Sequence, residues 1–394
     1  VSLTADGKVN FAAALHTKEE CGVLLYLHAA GKPVHLPFTE KNRVGNIYCM
    51  QLEGLADVSF QYNFYAGGEI ITDPYAEVIY GNERWGRQAE PRLRGGISRR
   101  GYDWENDAPL MTPLSDTILY LIHPRGFTRH TSSGVEQKGT FAGLAEKIPY
   151  LKELGITAAE LMPSYEFLEL EKPEHRERSM AEARTHYMDP PAEEDEPPRI
   201  NYWGYKKGYY FAPKMSYSAS DCPAEEFKDM IKQFHQNGIE VIMQFYFPAD
   251  VKRAYILEVI KHWVFTFHVD GFHLLGIHMP TALLATEPML GNTKLFYTEI
   301  PCQEIYDNND IPVYKNLAAY NDDFMYAARH FLKSDEGSLQ PMLGLLKKNP
   351  KQTGVINYIT NYSGFTLADL VAYDRKHNEA NGEENRDGET YNVS

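Results

Sequence analysis

The periodicity of hydrophobic and polar positions changes near residue 113. Before it, apolar and polar side chains alternate, as in the run 58–64, where Val, Phe, Tyr and Phe stand at every second position. A period of two is typical of a half-buried β-strand, and the apolar run 22–27 predicts a second one. Turn residues separate such runs, and no long helical period occurs before residue 140. We expect a small antiparallel β-sandwich over residues 1–112.

From residue 113 to 394, short apolar runs alternate with amphipathic helical stretches. The predicted strands are 117–122, 158–162, 239–247, 269–277, 295–300 and 355–360, and the predicted helices are 140–154, 224–237 and 255–267. Strands that alternate with helices indicate a parallel sheet with right-handed crossovers. Because the alternation repeats about seven times, it predicts a (β/α)8 TIM-type barrel, an α/β fold.

One segment interrupts the barrel pattern. Residues 166–198 are long, charged and rich in proline, with four consecutive acidic residues at 193–196. This composition is typical of a solvated surface excursion, and the same segment could serve as a lid or a partner-binding loop.

Composition narrows the class of protein. Acidic residues outnumber basic ones 54 to 39, for a net charge of −15, so phosphates would repel the chain and we expect neither nucleic acid nor an anionic membrane as a partner.

No apolar run reaches the roughly 18 residues of a membrane span. The chain starts without an apolar leader, so we expect a signal peptide to be absent or already removed. The four cysteines lie far apart, which fits a reduced, cytoplasmic protein. Neither a metal-ligand cluster nor a phosphate motif occurs, so we expect no metal or cofactor.

Several long sequence motifs occur along the chain between residues 125 and 388. They are Arg125-Gly-Phe-Thr-Arg-His-Thr-Ser-Ser-Gly134, Ile148-Pro-Tyr-Leu-Lys-Glu-Leu-Gly-Ile-Thr157, Asn201-Tyr-Trp-Gly-Tyr205, Gly271-Phe272, Gly364-Phe-Thr-Leu-Ala-Asp-Leu370 and Asn385-Arg-Asp-Gly388. This set resembles the α-amylase superfamily (glycoside hydrolase family 13), in its isoamylase, pullulanase and glycogen-debranching branch. The resemblance implies an immunoglobulin-like carbohydrate-binding sandwich before the barrel. It also implies an eighth strand and a C-terminal domain beyond residue 394, so this chain would lack the last barrel strand.

The family's chemistry is retaining hydrolysis of α-glucosidic bonds, which needs two carboxyl groups about 5 Å apart. The resemblance assigns the nucleophile position to Leu275, the acid/base position to Thr298 or Glu299, and the stabiliser position to Ser363. A leucine cannot attack an anomeric carbon. Neither neighbour of Leu275 offers a carboxylate. A one-residue slip that recruited Glu299 would turn its side chain away from the cleft.

Positions that support catalysis in the family also carry different residues in this chain. The resemblance places Gln244 where the family has aspartate, Ala249 where it has histidine, His273 where it has arginine and Tyr362 where it has histidine. Proline replaces an asparagine often involved in calcium binding in relatives, so calcium is not expected. His273 and His278 have an odd spacing that puts them on opposite faces of a strand, which disfavours a metal pair.

An aromatic set remains at the family's substrate loop. Tyr202, Trp203 and Tyr205 occupy the motif that lines the cleft in the family, and Tyr205 best matches the position that stacks on a glucose ring. These side chains either bind sugar or merely pack the rim of the barrel.

Three functions stay open on these observations. The first is a catalytically degenerate protein of α-glucan (glycogen or starch) metabolism that binds an α-glucan oligosaccharide or polysaccharide, or serves as a noncatalytic partner of an active debranching-enzyme subunit. The second is an active α-glucan hydrolase or transglycosylase that uses displaced carboxylates such as Glu299, Glu304 or Asp307. The third is a non-carbohydrate interaction scaffold that uses the excursion 166–198 as its contact surface.

Overall fold

The structure is a computed structural model of the whole chain. It describes residues 1–27, 31–55, 58–87, 92–98, 101–171, 199–306, 310–360, 362, 365–381, 384–390 and 392–393. These residues form two compact units, the first made of Val1–Leu110 with Ile118–Val269 and the second of Met111–Thr117 with Asp270–Ser394. Every helix in the described ranges is too short or too polar to cross a bilayer.

The first unit begins with two antiparallel sheets. One has the strand order β1-β2-β6-β5 and the other β4-β3-β7-β10-β9, with β8 paired to β7. The strands are β1 (Ser2–Leu3), β2 (Val9–Ala14), β3 (Cys21–Tyr26), β4 (Val34–Pro37), β5 (Arg43–Val44), β6 (Ile47–Leu52), β7 (Gln61–Ala66), β8 (Glu69–Ile71), β9 (Val78–Tyr80) and β10 (Arg94–Gly96).

Side chains from both sheets share one apolar core, which makes this region a β-sandwich. Phe11 of β2 and Tyr62 of β7 are fully buried, and their rings meet edge to face with centroids 5.5 Å apart. Burying such aromatic surface is the main stabilising contribution in a small β-domain. The predicted strand at 22–27 is confirmed, whereas the one at 58–64 starts later, at Gln61.

The same unit continues with three parallel strands in the order β11-β12-β17, namely β11 (Leu119–Ile122), β12 (Ala158–Leu161) and β17 (Glu240–Tyr246). Two short antiparallel pairs branch off between them: β13 (Tyr165–Glu166) with β16 (Tyr209–Pro213), and β14 (Leu170–Glu171) with β15 (Arg199–Ile200). The connecting helices are α1 (Gly126–Arg129), α2 (Phe141–Ala145), α3 (Ile148–Glu153), α4 (Pro223–Gln236) and α5 (Arg253–Phe267).

The helix expected over 140–154 is wrong as one element. It forms two helices, α2 and α3, because Pro149 lies at the start of α3. A proline has no N–H to donate and is tolerated only in the first turn of a helix, so a new helix begins there. The helices expected at 224–237 and 255–267 are confirmed as α4 and α5.

The second unit holds four parallel strands in the order β18-β19-β20-β21, alternating with short helices. The strands are β18 (Gly271–Leu275), β19 (Lys294–Phe296), β20 (Leu317–Tyr320) and β21 (Gly354–Ile356), and the helices are α6 (Thr281–Thr286), α7 (Cys302–Ile305), α8 (Asp322–Leu332), α9 (Leu339–Leu346) and α10 (Leu367–Leu370). The strand expected at 295–300 is shorter than predicted and ends at Phe296, so Thr298 and Glu299 lie in the loop after it. The expectation that strand alternation turns Glu299 away from the cleft is therefore wrong, because alternation does not extend into a loop.

The predicted fold class is confirmed: an antiparallel β-region precedes parallel strands that alternate with helices, as in a (β/α) barrel that is incomplete here. Most of the excursion expected at 166–198 lies outside the described residues. The boundary between the two predicted domains at residue 113 stays a prediction.

Candidate functional site

A chain of hydrogen bonds runs from Tyr205 into the first unit's sheet. The hydroxyl of half-buried Tyr205 donates to Oε1 of Gln244 over 2.6 Å, and Nε2 of Gln244 donates to Oε1 of Glu160 over 2.6 Å. Gln244 on β17 and Glu160 on β12 are both fully buried. Hydrogen bonds in such low-dielectric surroundings are strong and directional. Tyr205 is therefore held in one orientation by two neighbouring strands.

The loop that carries Tyr205 turns at Gly204. The amide N–H of Gly204 donates to Oδ1 of Asn201 over 3.0 Å, and Gly204 has a positive φ of 79°. A Cβ at this position would stand 2.6 Å from the ring of Phe167. Only glycine combines this backbone conformation with so close an approach. The Asn-Tyr-Trp-Gly-Tyr sequence is thus a turn that presents its aromatic side chains.

Tyr202 and Trp203 form an exposed aromatic surface on this turn. The Tyr202 ring stacks on His123 with centroids 4.1 Å apart and an interplanar angle of 15°, and Trp203 meets Tyr202 edge to face at 5.2 Å. Tyr202 is 38% exposed and Trp203 is 42% exposed. Stacked and edge-to-face contacts fix rings without hiding them. The loop therefore leaves part of two fixed aromatic side chains in contact with solvent.

His123 braces this surface as a neutral ring. The amide N–H of Gly126 donates to its Nδ1 over 2.9 Å, so Nε2 carries the proton and donates to the Tyr202 carbonyl oxygen over 2.8 Å. Burial lowers the pKa of His123 below its ordinary value, which keeps the ring uncharged. The sequence gives no clear signal for this role, because His123 lies 79 residues from Tyr202.

An exposed ion pair between a lysine and an aspartate follows the aromatic loop. Lys207 pairs with Asp250 over 2.6 Å, with both side chains 63% exposed. The hydrogen bond from Lys207 lowers the pKa of Asp250 below its ordinary value. Ala249, at the position assigned to a family histidine, is exposed next to this pair and carries no polar side chain. This edge of the first unit therefore offers no general acid or base at that position.

The second unit holds the other assigned positions. Leu275 ends β18 and is half-buried, Thr298 and Glu299 are exposed, and Tyr362 is half-buried. His273 is buried and stacks on Tyr320 of β20 with centroids 4.7 Å apart. Ser363 and Asp307 lie outside the described residues. Within this unit a hydrocarbon side chain thus stands at the position that the resemblance assigns to the nucleophile, with a packed imidazole two residues before it.

Two glutamates of the first unit share one lysine as their ion-pair partner and are fully buried. Nζ of Lys214 binds Oε1 of Glu166 over 2.9 Å and Oε2 of Glu169 over 2.8 Å, and all three side chains are fully buried. The amide of Asn82 also donates to both carboxylates. Burial raises the pKa of Glu166 despite the attraction of Lys214. Without any exposed surface, this pair cannot reach a sugar.

Lys214 also sits among aromatic rings. Its ammonium lies 4.2 Å from the centroid of Phe167, 5.7 Å from that of Trp85 and 5.8 Å from that of Tyr217. A cation over ring faces gains electrostatic stabilisation that partly offsets its lost hydration. Sequence reasoning missed this cluster because lysine and glutamate are normally surface residues.

No group of three or more histidine, cysteine, aspartate or glutamate side chains in the described ranges is arranged to hold a metal ion.

Comparison with known proteins connects this architecture to carbohydrate enzymes. A model of the α-amylase catalytic domain matches residues 121–248. Isoamylase 1, chloroplastic, of Oryza sativa subsp. japonica is 28% identical over an alignment that covers 99% of this chain and 60% of the isoamylase. The glycogen operon protein GlgX homolog of Haemophilus influenzae is 29% identical, with 89% of this chain and 63% of that protein covered.

A solved structure agrees in fold. The crystal structure of a Paenibacillus barengoltzii pullulanase variant complexed with maltotetraose matches with a TM-score of 0.65 at 21% identity, covering 92% of this chain and 66% of that one. Fold and motifs together thus define a β-sandwich followed by a glycosidase-type parallel barrel. Residues 121–248 thus match the α-amylase catalytic domain, and the relatives and structural neighbours fit the isoamylase and pullulanase branch. The chain spans about three fifths of the length of the isoamylase, 60%.

Proposed function

We propose that this chain binds α-glucan through the aromatic surface of its substrate loop and does not cleave it. The observation that carries the proposal is the bond between Tyr205 and Gln244. The position assigned to a family aspartate holds an amide, and this amide orients the tyrosine best matched to glucose stacking. The tyrosine expected to bind sugar is therefore held in place, whereas the negative charge of the family aspartate is absent at Gln244.

Loss of the carboxylates supports the noncatalytic half of the proposal. Retaining hydrolysis requires a nucleophile and an acid/base about 5 Å apart. Leu275 provides no nucleophile, and the acid/base position falls on Thr298, which is no acid, or on its neighbour Glu299. Because removing one member of a catalytic unit typically costs several orders of magnitude in rate, the loss at Leu275 alone argues against family-type turnover.

Exposed, braced rings support the binding half. Trp203 and Tyr202 keep 42% and 38% of their surface in solvent, although burying them would be favourable. A sugar ring presents C–H faces that pack on such surfaces and hydroxyls that bond to the polar groups around them. The relatives fit this ligand class, since the pullulanase structure contains maltotetraose.

Calorimetry with maltoheptaose tests the binding half. The chain should bind the oligosaccharide saturably, and Trp203→Ala and Tyr205→Ala should each weaken binding at least about tenfold, as for aromatic side chains that a ligand covers. Phe265→Ala is the matched control, because Phe265 is 48% exposed on α5, outside the aromatic loop. An equal loss in the control, or no binding by the unmodified chain, would overturn the proposal.

A role as the noncatalytic partner of an active debranching-enzyme subunit is compatible with the same missing carboxylates. Its test is separate: mixing the chain with an active isoamylase and measuring mass by light scattering. A stable mixed species supports this role, and two unchanged masses refute it.

A further inference from the structure

Helix α9 of the second unit leaves an apolar face in contact with solvent. Leu339, Leu343 and Leu346 stand at positions i, i+4 and i+7, so they share one side of the helix. They are 52%, 37% and 55% exposed. We call these three side chains the α9 face. A stripe of leucines with this spacing is typical of a surface on which another helix packs.

The neighbouring side of α9 already contacts the fold. Met342 and Leu345 are half-buried, and α9 packs against α8. No side chain of α9 is buried, whereas α4, α5 and α8 each bury at least four. A helix this short is marginal in water and owes its stability to tertiary packing. The contact with α8 therefore covers only part of the apolar surface of α9.

Exposed apolar surface continues at the turn that leads into α9. Phe331 and Leu332 end α8 and are 41% and 66% exposed. The chain turns directly after them, with the amide N–H of Ser334 donating to the Phe331 carbonyl oxygen over 3.0 Å. One helical hairpin thus exposes five large apolar side chains. Single exposed leucines are ordinary, but such a group on one element marks an interaction surface.

The two ends of α9 carry opposite charges. Asp335 and Glu336 precede the helix, and Lys347 and Lys348 follow it. The two lysines and Glu336 are exposed, and none of the three forms an ion pair within the part of the chain that the structure describes. The α9 face is therefore flanked by negative charge at one end and by positive charge at the other.

Other groups at the acidic end do not remove its negative charge. Oδ2 of Asp335 lies 2.6 Å from Nδ1 of His330, which occupies this carboxylate. The exposed Lys333 also belongs to the turn. Glu336 has neither partner and remains available to a cation from another molecule.

We propose that two copies of this chain pair through their α9 faces in an antiparallel dimer with two-fold symmetry. A two-fold axis brings a surface onto an identical copy of itself. Antiparallel packing lays leucines against leucines and sets the acidic end of each helix beside the basic end of the other. Parallel packing would set like charges together. This self-complementarity of charge identifies the occupant of the α9 face as a second copy.

The size of the contact determines how tight the dimer is. An eight-residue helix is about 12 Å long, so the α9 faces and the adjoining turn form a small interface. Small interfaces are typical of transient association. The dimer should therefore form and dissociate with protein concentration.

Sedimentation velocity of the full chain at increasing concentration tests the dimer. The mass should rise from that of one chain to that of two. Leu343→Glu should weaken association at least about tenfold, because it places a charge in the centre of the apolar contact. Leu283→Glu is the matched control, since Leu283 is a 43% exposed leucine on α6, and it should leave association unchanged. Circular dichroism verifies that both variants are folded.

Charge reversal tests the antiparallel arrangement. Glu336→Lys and Lys348→Glu should each weaken self-association several-fold, because like charges then face each other across the two-fold axis. An equimolar mixture of the two variants should recover the dimer, since every reversed charge then meets an opposite one. Unchanged self-association of the single variants, or no recovery in the mixture, would refute this arrangement.

Two results would overturn the dimer itself: a single-chain mass at every concentration, or association that Leu343→Glu leaves unchanged. A chain that stays monomeric and sediments with vesicles of phosphatidylcholine and phosphatidylglycerol would assign the α9 face to a lipid surface instead. The proposal does not rest on glucan binding, because the α9 face and Tyr205 belong to different units. The dimer and the maltoheptaose site therefore fail separately.

Discussion

The hydroxyl of Tyr205 donates to the side-chain carbonyl of Gln244, which in turn donates its amide hydrogen to Glu160. A glutamine can do both, because it carries an acceptor and donors on one planar group. An ionised aspartate could accept from the tyrosine but could not donate to the glutamate. The amide therefore links the loop that carries Tyr205 to a buried acid.

Two substitutions of Tyr205 distinguish the role of its ring from the role of its hydroxyl. Tyr205→Phe keeps the stacking face and should retain measurable maltoheptaose binding, whereas Tyr205→Ala should lose it. The phenylalanine variant should also be less stable by about 1–3 kcal/mol, because Oε1 of Gln244 loses a donor in a buried site. Chemical denaturation and calorimetry check the two effects, and full binding in Tyr205→Ala would contradict the assigned role.

Gly126 should be essential for the aromatic surface. A Cβ at Gly126 would collide with the Tyr202 hydroxyl. Gly126→Ala should therefore displace the Tyr202 ring from His123 and weaken maltoheptaose binding several-fold. Gly344→Ala, where a Cβ meets no atom within 4 Å, is the control. Calorimetry of both variants measures the difference, and equal affinities would show that the stack is unimportant.

Lys214 should dominate the electrostatics of the first unit. Lys214→Met leaves two buried carboxylates without their cation and should lower the free energy of unfolding by about 3–5 kcal/mol. Lys207→Met breaks the exposed pair with Asp250 and should cost at most about 1 kcal/mol. Urea titrations compare the two variants.

A rescue variant separates charge from packing at the same cluster. Adding Glu166→Gln and Glu169→Gln to Lys214→Met removes the unpaired charges, so part of the lost stability should return. No recovery would mean that the cost of Lys214→Met comes from packing, and a mild Lys214→Met would mean that the cluster is hydrated.

His262 should make the first unit acid-sensitive. Burial lowers its pKa from 6.5 to about 4, and its Nε2 donates to the Phe211 carbonyl oxygen over 3.0 Å. The unfolded chain binds this proton more readily, so stability is lost as pH falls from 6.5 towards 4 and is unaffected above that window. Compared with His262→Gln, the unmodified chain should lose more stability between pH 7.5 and 4.5. Parallel pH profiles would contradict the neutral assignment.

The sequence predicted those elements that bury continuous apolar runs. The strand at Glu240–Tyr246 and the helix at Pro223–Gln236 lie within two residues of their expected bounds, because tertiary packing and local pattern agree there. The strand at Leu317–Tyr320 was not predicted, since two of its four residues are alanine, which has low β-propensity.

Much of the site could not be predicted, for a different reason. Tyr205 and Gln244 are 39 residues apart, and Glu166 and Lys214 are 48 apart. Such pairings depend on how the strands align in three dimensions. Glu160 did carry a signal, an acid inside the apolar run 158–162, where a charged group must find a buried partner.

The most direct test is a reducing-sugar assay on pullulan, amylopectin and maltoheptaose with the chain in excess over substrate ends. The account predicts no product above a heat-inactivated control, together with saturable maltoheptaose binding in the same preparation. Product formation that disappears in Glu299→Gln would contradict it, because a displaced carboxylate would then be performing the cleavage that the loss at Leu275 is argued to have ended.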